Sequence, residues 1–362
     1  MQRFKKATIS DVAEKAGVSI TTVSRFVGGN ENVCSGETAR RIRTAIKDLH
    51  YTPSSMVSSA AGRAKKTLGV CMYSPLDQNL VFGGFFFEQI WRGILAQASA
   101  EEYALLHYPG VVHSSTSTDP FLDGRVDGLL YHPPTALRSP SAPDNRPVRL
   151  AAAGMPTVVL TRSLDLPDAC GAAFADEIGT GSLALSHLWE QGHRRIAHLA
   201  GPTGPGGDIA FGRLEAYRAW MRERGVYDPA LEGHMPGWRA DAHVAEVVEQ
   251  WHRLEAPPTA IFAANDALAL AVCTAAGTLG WNVPSELSVI GVDNTPEAIK
   301  AGLTSVAPPM EQVGQAAVRA LLGLIQGTPV AQCRIAVPVT QIVHRDTVST
   351  VPLFRGSRKA TS

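Results

Sequence analysis

The 362-residue sequence contains only five cysteines, and no two of them are spaced as CxxC. They are Cys34, Cys71, Cys170, Cys273 and Cys333. Scattered cysteines in odd number indicate reduced thiols rather than a disulfide framework or a zinc site. The sequence therefore predicts a cytoplasmic protein without a metal ion.

Long uninterrupted hydrophobic runs are also missing. The most apolar stretch, FGGFFFEQIWRGILAQ, contains Glu88 and Arg92, whereas a membrane-spanning helix needs about 20 predominantly apolar residues. The N-terminal MQRFKK carries charge with no apolar run behind it, so we expect no signal peptide. We therefore expect no contact with a membrane.

Motifs that are typical of common enzymes are absent as well. Residues 201–207, GPTGPGG, are rich in glycine, but no Gly-Lys-Ser/Thr follows them, so they do not form a phosphate-binding P-loop. The sequence has neither a Gly-x-Ser-x-Gly elbow nor an HExxH helix. We therefore predict no catalytic residues and no cofactor.

The formal net charge of the whole chain is zero, but its two parts carry opposite net charges. Residues 1–66 hold 12 Lys/Arg and 5 Asp/Glu, a net charge of +7, and the remainder holds 21 and 28, a net charge of −7. A basic segment on an acidic body fits a phosphate-rich partner at one end of the molecule. Taken alone, a solvated basic face explains this asymmetry more simply.

The pattern that is present lies in residues 8–25, TISDVAEKAGVSITTVSR. Thr8 and Asp11 predict an acidic capping box, and Gly17 predicts the end of a short helix. Ser19 is placed to cap a second helix. Two short helices joined by a glycine turn predict a helix-turn-helix, whose second helix enters the major groove of DNA. The alternative is a small helical bundle with no DNA role.

A third helix is predicted after Ser35, with an apolar stripe and a basic outer face. At this point the sequence resembles a known family. The segments DVAEKAGVS-TTVSR, ETARRI and Tyr51-Thr52-Pro53 are similar to the headpiece of the lactose-repressor (LacI/GalR) family of bacterial transcription regulators. The resemblance extends from about Thr8 to Thr347.

Beyond Thr67, strands that are apolar throughout alternate with helices, which predicts α/β lobes of parallel sheets covered on both faces. A second such series begins at Ala172. The resemblance implies a periplasmic-binding-protein-like core of two lobes joined by three chain crossings. The domains expected on this basis are a headpiece (1–52), a hinge (53–66), a core (67–350; lobe 1 about 67–170 and 307–337, lobe 2 about 171–306 and 338–350) and a tail (351–362).

The resemblance also implies which residues contact DNA. Ile20 and Thr21 stand where family members read base edges, and isoleucine suits a thymine methyl group. Ala60 stands where most members with a similar hinge carry a leucine that wedges into the minor groove. The full set implied is Thr8, Ser19, Ile20, Thr21, Ser24, Arg25, Tyr51, Ser54 and Ala60.

Effector-binding residues are expected where strands end, because open α/β sheets bind ligands at the carboxyl ends of their strands. Asn265 and Asp293 directly follow predicted strands, and Arg213 opens a helix; these three match family positions that bind the effector. The full set expected is Tyr73, His132, Thr161, Arg213, Trp238, Asn265 and Asp293. Capping of strand ends, or a salt bridge between lobes, is the alternative for each.

Together these features predict a homodimeric, sequence-specific DNA-binding transcription regulator, which we expect to be a repressor. Its partners would be a double-stranded DNA operator with an inverted repeat and a small-molecule effector, expected to be a carbohydrate, bound between the lobes. The alternative is a solute-binding protein or enzyme of periplasmic-binding-protein fold without a DNA role.

Overall fold

The computed structural model describes residues 7–27, 33–49, 51, 66–72, 84–108, 118–133, 145–161, 168–202, 208–238 and 242–351. Within these ranges no helix is long and apolar enough to cross a membrane. The predicted cleft residue Tyr73 lies outside the described residues, as does the predicted hinge with Ser54 and Ala60, apart from its last residue, Lys66.

Three short helices form the headpiece: α1 (Ile9–Ala16), α2 (Ile20–Val27) and α3 (Gly36–Asp48). The predicted capping box is confirmed, since the Asp11 carboxylate accepts the Thr8 N–H at 2.7 Å and Thr8 Oγ1 accepts the Asp11 N–H at 3.3 Å. Gly17 ends α1 with a φ of 63°, which glycine adopts without steric cost. The helices bury one apolar cluster, made of Val12, Ala13, Ala16, Val23, Phe26, Ala39, Ile42, Ala45 and Tyr51.

The first lobe is built on a six-stranded parallel sheet with the spatial order β11-β5-β4-β3-β1-β2. Its strands are β1 (Thr67–Cys71), β2 (Ala104–His107), β3 (Gly128–Tyr131), β4 (Thr157–Leu160), β5 (Gly171–Ala175) and β11 (Arg334–Val337). Its helices are α4 (Gly84–Ala100), α5 (Arg146–Ala152) and α11 (Met310–Ile325). Strands β3 and β4 are buried along their whole length, as expected for a sheet with both faces covered.

The second lobe carries a sheet with the order β12-β10-β9-β8-β6-β7, parallel except for the β10–β12 pair. Its strands are β6 (Ile196–Ala200), β7 (Glu232–His234), β8 (Ala260–Ala263), β9 (Ser288–Val292), β10 (Thr304–Val306) and β12 (Ile342–Val343). Its helices are α6 (Glu177–Glu190), α7 (Asp208–Glu223), α8 (Ala242–His252), α9 (Asp266–Thr278) and α10 (Pro296–Lys300).

The start of the second lobe differs from the expectation. The sequence analysis placed strand 172–175 at the head of the second series, but β5 pairs with β4 and β11 in the first sheet. The strand GAAFA is short and apolar, so its composition fits either sheet. Its place is decided by pairing with residues 334–337, more than 150 positions later in the chain.

The chain crosses between the lobes after β5, after β10 and after β11. The crossing segments are hydrogen-bonded to one another. The Asp176 N–H donates to Val337 O at 2.9 Å, and the Ala307 N–H donates to Gln341 O at 2.9 Å. All three crossings therefore form one connected interlobe hinge, which is separate from the predicted hinge at residues 53–66.

Candidate DNA-binding surface and ligand cleft

The N-terminal end of helix α2 presents an apolar side chain to solvent. Ile20 is 51% exposed, and Thr21 and Arg25 on the same helix are also exposed, whereas Ser24 is half-buried. Val23 and Phe26 hold the opposite face of α2 in the headpiece core. The helix is thus fixed from behind while Ile20 and Thr21 remain available to a partner.

Three of the predicted DNA contacts have structural partners inside the headpiece. The Thr8 hydroxyl lies 2.7 Å from Asp11 Oδ2, and Ser19 Oγ accepts the Thr22 N–H at 3.1 Å. Tyr51 is buried against the headpiece core, and its N–H donates to Ile46 O at 3.0 Å. These residues order the headpiece, and their contacts with DNA stay a prediction.

In the second lobe, Arg213 lies in the second turn of α7, almost fully buried. Its Nε donates to Glu177 Oε2 at 2.7 Å, one Nη donates to the Ala264 carbonyl, and the other lies 4.0 Å from Asp293 Oδ1. Both carboxylates belong to the same lobe as the arginine. The ion pair is therefore internal to the second lobe and does not join the lobes.

Asp293 follows β9 directly and has a φ of 108°, while Asn294 has a φ of 52°. Two consecutive residues with positive φ that are not glycine are uncommon, and such backbone is concentrated at functional sites. Burial raises the pKa of the Asp293 carboxyl group, Arg213 opposes the rise, and the carboxylates of Asp266 and Glu177 add to it. Asp293 thus places, at the end of a strand, a carboxyl group whose pKa lies well above that of a free aspartate.

Asn265 and Trp238 lie beside this cluster. The Asn265 amide oxygen caps α9 by accepting the Leu268 N–H at 2.8 Å, and its Nδ2 donates to the Trp238 carbonyl at 3.1 Å. The Trp238 ring lies over Gly201, the residue after β6, where an ideal Cβ would be 2.7 Å from the ring. The structure thus brings all four predicted second-lobe residues together at the carboxyl edge of the second sheet. Asn265 also has a structural role, because it caps the N-terminus of α9.

The predicted first-lobe residues lie at the carboxyl ends of their strands. His132, directly after β3, is buried and packs edge-on against Phe87 with ring centroids 5.0 Å apart. Thr161, directly after β4, has a φ of 56°, which is unusual for a β-branched residue, and its N–H donates to Ala173 O at 2.8 Å. Their contact with a ligand stays a prediction.

A groove of about 700 Å³ connects this region with the crossing segments. Asp293 and Asn294 line it from the second lobe, and Phe85 and Gln89 line it from α4. The rest of its lining comes from the second and third crossings and from α11: Ala307, Pro308, Pro309, Glu311, Gln312, Gln315, Arg319, Pro338, Thr340 and Gln341.

Two carboxylates of the site were not among the effector-binding residues expected from the sequence. Glu177 follows β5 by two residues, and Asp266 opens α9 after β8, so the strand-end rule that selected Asp293 applied to both. Asp266 is fully buried, with its oxygens accepting from the Ser305 hydroxyl at 2.6 Å and the Thr295 N–H at 2.7 Å. Among the residues that the structure describes, no cluster of three or more His, Cys, Asp or Glu could hold a metal ion.

Comparison with known proteins agrees with both halves of this description. Residues 8–54 match the family "Bacterial regulatory proteins, lacI family", and residues 185–348 match "Periplasmic binding protein-like domain". The HTH-type transcriptional regulator CelR of Thermobifida fusca is 32% identical over 355 residues, which cover 95% of this chain and 99% of that protein. The repressor PurR of Erwinia tasmaniensis is 31% identical, covering 88% of this chain and 90% of that protein.

Solved structures extend the similarity to three dimensions. A lac repressor dimer bound to operator and the anti-inducer ONPF is 25% identical with a TM-score of 0.69, covering 95% of this chain and all of that one. A CelR–cellobiose complex is 28% identical with a TM-score of 0.64, covering 94% and 99%. The family resemblance is confirmed, and the alternative of a solute-binding protein without a DNA role is wrong. The chain belongs to the lacI family of bacterial regulatory proteins and is a DNA-binding transcription regulator with a periplasmic-binding-protein-like core.

Proposed function

We propose that the protein is a homodimeric repressor whose affinity for its operator changes when a sugar binds between its lobes. Each subunit would place α2 in the major groove of one half-site, so the operator is an inverted repeat. Because its partner is operator DNA, the regulator acts in the cytoplasm.

One observation carries the ligand part of this proposal: Arg213, Asp293, Asn265 and Trp238 converge at the carboxyl edge of the second sheet. A carboxyl group, a guanidinium and an amide offer donors and acceptors for hydroxyl groups. An indole ring suits the apolar CH face of a sugar. Cellobiose, which occupies the related CelR structure, is a ligand of this chemical class.

The exposure of Ile20 supports the DNA part of the proposal. An isoleucine that is half exposed at the start of a helix has no role in the headpiece core. Isoleucine offers only apolar contact, which fits a thymine methyl group in the major groove. Arg25, one turn further along, would contact phosphate or a neighbouring base.

Selection of bound sites from random DNA tests the DNA part. We expect an inverted repeat, and we expect Ile20→Asn together with Thr21→Ala to change the preferred half-site. Val148→Thr, which changes an exposed apolar residue of the first lobe far along the chain from the headpiece, is the control and should leave the selected DNA sequence unchanged. An unchanged preference in the headpiece variant would contradict the assignment of α2.

A thermal-shift screen of neutral sugars and nucleobases tests the ligand part. We expect at least one sugar to raise the melting temperature and to alter operator affinity in a gel-shift assay. If no sugar moves either quantity, the sugar proposal is wrong. A response to nucleobases alone would redirect it to that class.

A further inference from the structure

The guanidinium of Arg213 is already occupied by protein groups. Its Nε donates to Glu177 Oε2 at 2.7 Å, and a terminal nitrogen donates to the Ala264 carbonyl. The arginine is 2% exposed and the glutamate 9%. An arginine binds phosphate or carboxylate best through two parallel N–H groups. Here Glu177 holds one edge of the guanidinium that such a ligand would need.

Carboxyl groups outnumber basic groups around this arginine. Glu177 and Asp293 face it directly, and Asp266 lies behind Asp293. Asp176, which caps α6 through the Gly179 N–H, adds its field to that of Glu177. Against these four carboxyl groups stand Arg213 and Arg345, and Arg345 is itself bound to Asn294 Oδ1 at 2.5 Å.

Two further features agree with this balance. Burial raises the pKa of Glu177 while Arg213 opposes the rise, so the carboxylate depends on the arginine to stay ionised. Close to the pair in the sequence, Ile178 is 50% exposed and Phe211 is 38% exposed. The helix turns that carry the buried ion pair thus also carry exposed apolar side chains.

We propose that Glu177 is a specificity-determining residue, which holds Arg213 in a buried ion pair and thereby excludes anionic ligands such as sugar phosphates from the cleft. The inference rests on the proposed ligand cleft. An anion entering it would leave at least one buried carboxylate unpaired, at a large cost in free energy. Uncharged polyhydroxy ligands avoid this cost because they hydrogen-bond to the ion pair without separating it. Glu177 acts through Arg213 and is a positioning residue for that side chain.

Glu177→Gln tests the inference by a gain of binding, which a merely structural role would not produce. The probe is inorganic phosphate, titrated by calorimetry into the full-length dimer. Removing one buried charge within about 6 Å of an anion changes affinity on the order of 100-fold at an effective dielectric constant of about 20, and less with solvent screening. We expect phosphate to bind at least tenfold more tightly to Glu177→Gln than to the wild type.

Two controls make the gain specific. Glu190→Gln removes the same charge from the exposed end of α6 and should leave phosphate binding as in the wild type. Arg213→Met added to Glu177→Gln should abolish the gained binding. Should the glutamine variant fail to fold, Glu177→Thr is measured in its place, with the same expectation.

The inference is overturned if Glu177→Gln binds phosphate no better than the wild type, or if the gain survives the loss of Arg213. It is equally overturned if the wild type already binds phosphate through another cation, or if neither variant at residue 177 folds. Failure of the proposed function is seen in a separate measurement, the thermal-shift screen, in which no sugar would then raise the melting temperature of the wild type.

Discussion

Helices α4 and α11 cross at a pair of glycines, and their backbones touch there. An ideal Cβ on Gly93 would lie 1.9 Å from the Glu311 carbonyl oxygen, and one on Gly314 would lie 2.2 Å from the Ile90 carbonyl oxygen. A Cβ atom in a protein essentially never lies within 3.0 Å of a non-bonded atom from another part of the chain. We therefore predict that Gly93→Ala forces the two helices apart by about 1 Å.

The cost follows from two opposing terms. Overpacking a well-packed contact costs about 1–3 kcal/mol, occasionally more. Alanine in a helix interior stabilises by about 1 kcal/mol relative to glycine, which offsets part of that cost. Because the clash is with backbone, which cannot turn away as a flexible side chain can, we expect a net loss of about 2 kcal/mol and a melting temperature about 4–8 °C lower.

Differential scanning calorimetry on the full-length protein checks this prediction, with Gly277→Ala as the matched control. Gly277 lies in α9 with no atom within 4 Å of an ideal Cβ, so alanine there should be neutral or stabilising. The double variant Gly93→Ala/Gly314→Ala should cost less than the sum of the single changes, since helices already separated admit the second methyl group. Equal melting temperatures for Gly93→Ala and Gly277→Ala would refute the reasoning.

Three further predictions follow from other parts of the molecule. Asp293→Ala and Arg213→Ala should each abolish the response of operator binding to the effector while leaving DNA binding nearly intact, because a buried partner left unpaired costs about 1–3 kcal/mol or more. Gel shifts with and without ligand measure this response. A wild-type response in both variants would place the pocket elsewhere. Thr8→Ala should destabilise α1 by about 1 kcal/mol through loss of its cap, seen as roughly fivefold faster amide exchange in that helix, whereas exposed Thr44→Ala should not. Burial lowers the pKa of His198 to about 3, so between pH 7 and pH 5 only the unfolded chain takes up this proton, and the free energy of unfolding falls by about 2 kcal/mol as pH falls. His198→Phe should lack that part of the pH dependence, and an identical slope in wild type and variant would contradict the prediction.

The headpiece could be predicted nearly residue by residue because its signals are local. Thr8 and Asp11 are three residues apart, Gly17 ends α1 within the same segment, and Ser35 caps α3 by accepting the Thr38 N–H at 3.3 Å. Each of these interactions is fully determined by neighbours in the chain. No distant contact was needed to place the helix boundaries.

The membership of β5 and the role of Glu177 depend on distant contacts and could not be predicted in this way. Strand β5 is assigned to its sheet by residues 334–337. The partner of Glu177 lies 36 positions away, on a different helix. The strand-end rule identified Arg213 and Asp293 as candidates, but it could not show that a second carboxylate, that of Glu177, already holds the arginine.

The predicted ligand-binding residues lie close to the interlobe hinge, which bears on how ligand binding could change the affinity for DNA. The Asp293 N–H donates to Val306 O at 2.9 Å, and Val306 is the last residue before the second crossing. Glu177 follows Asp176, whose N–H is bound to Val337 at the start of the third crossing. The second and third crossings are also bound to each other through Ala307 and Gln341. A force on the carboxylate of Asp293 or Glu177 therefore acts directly on the interlobe hinge. A ligand that pulls Asp293 toward the first lobe would therefore rotate the lobes as rigid bodies, and a dimer would express that rotation as a change in the spacing of its two headpieces.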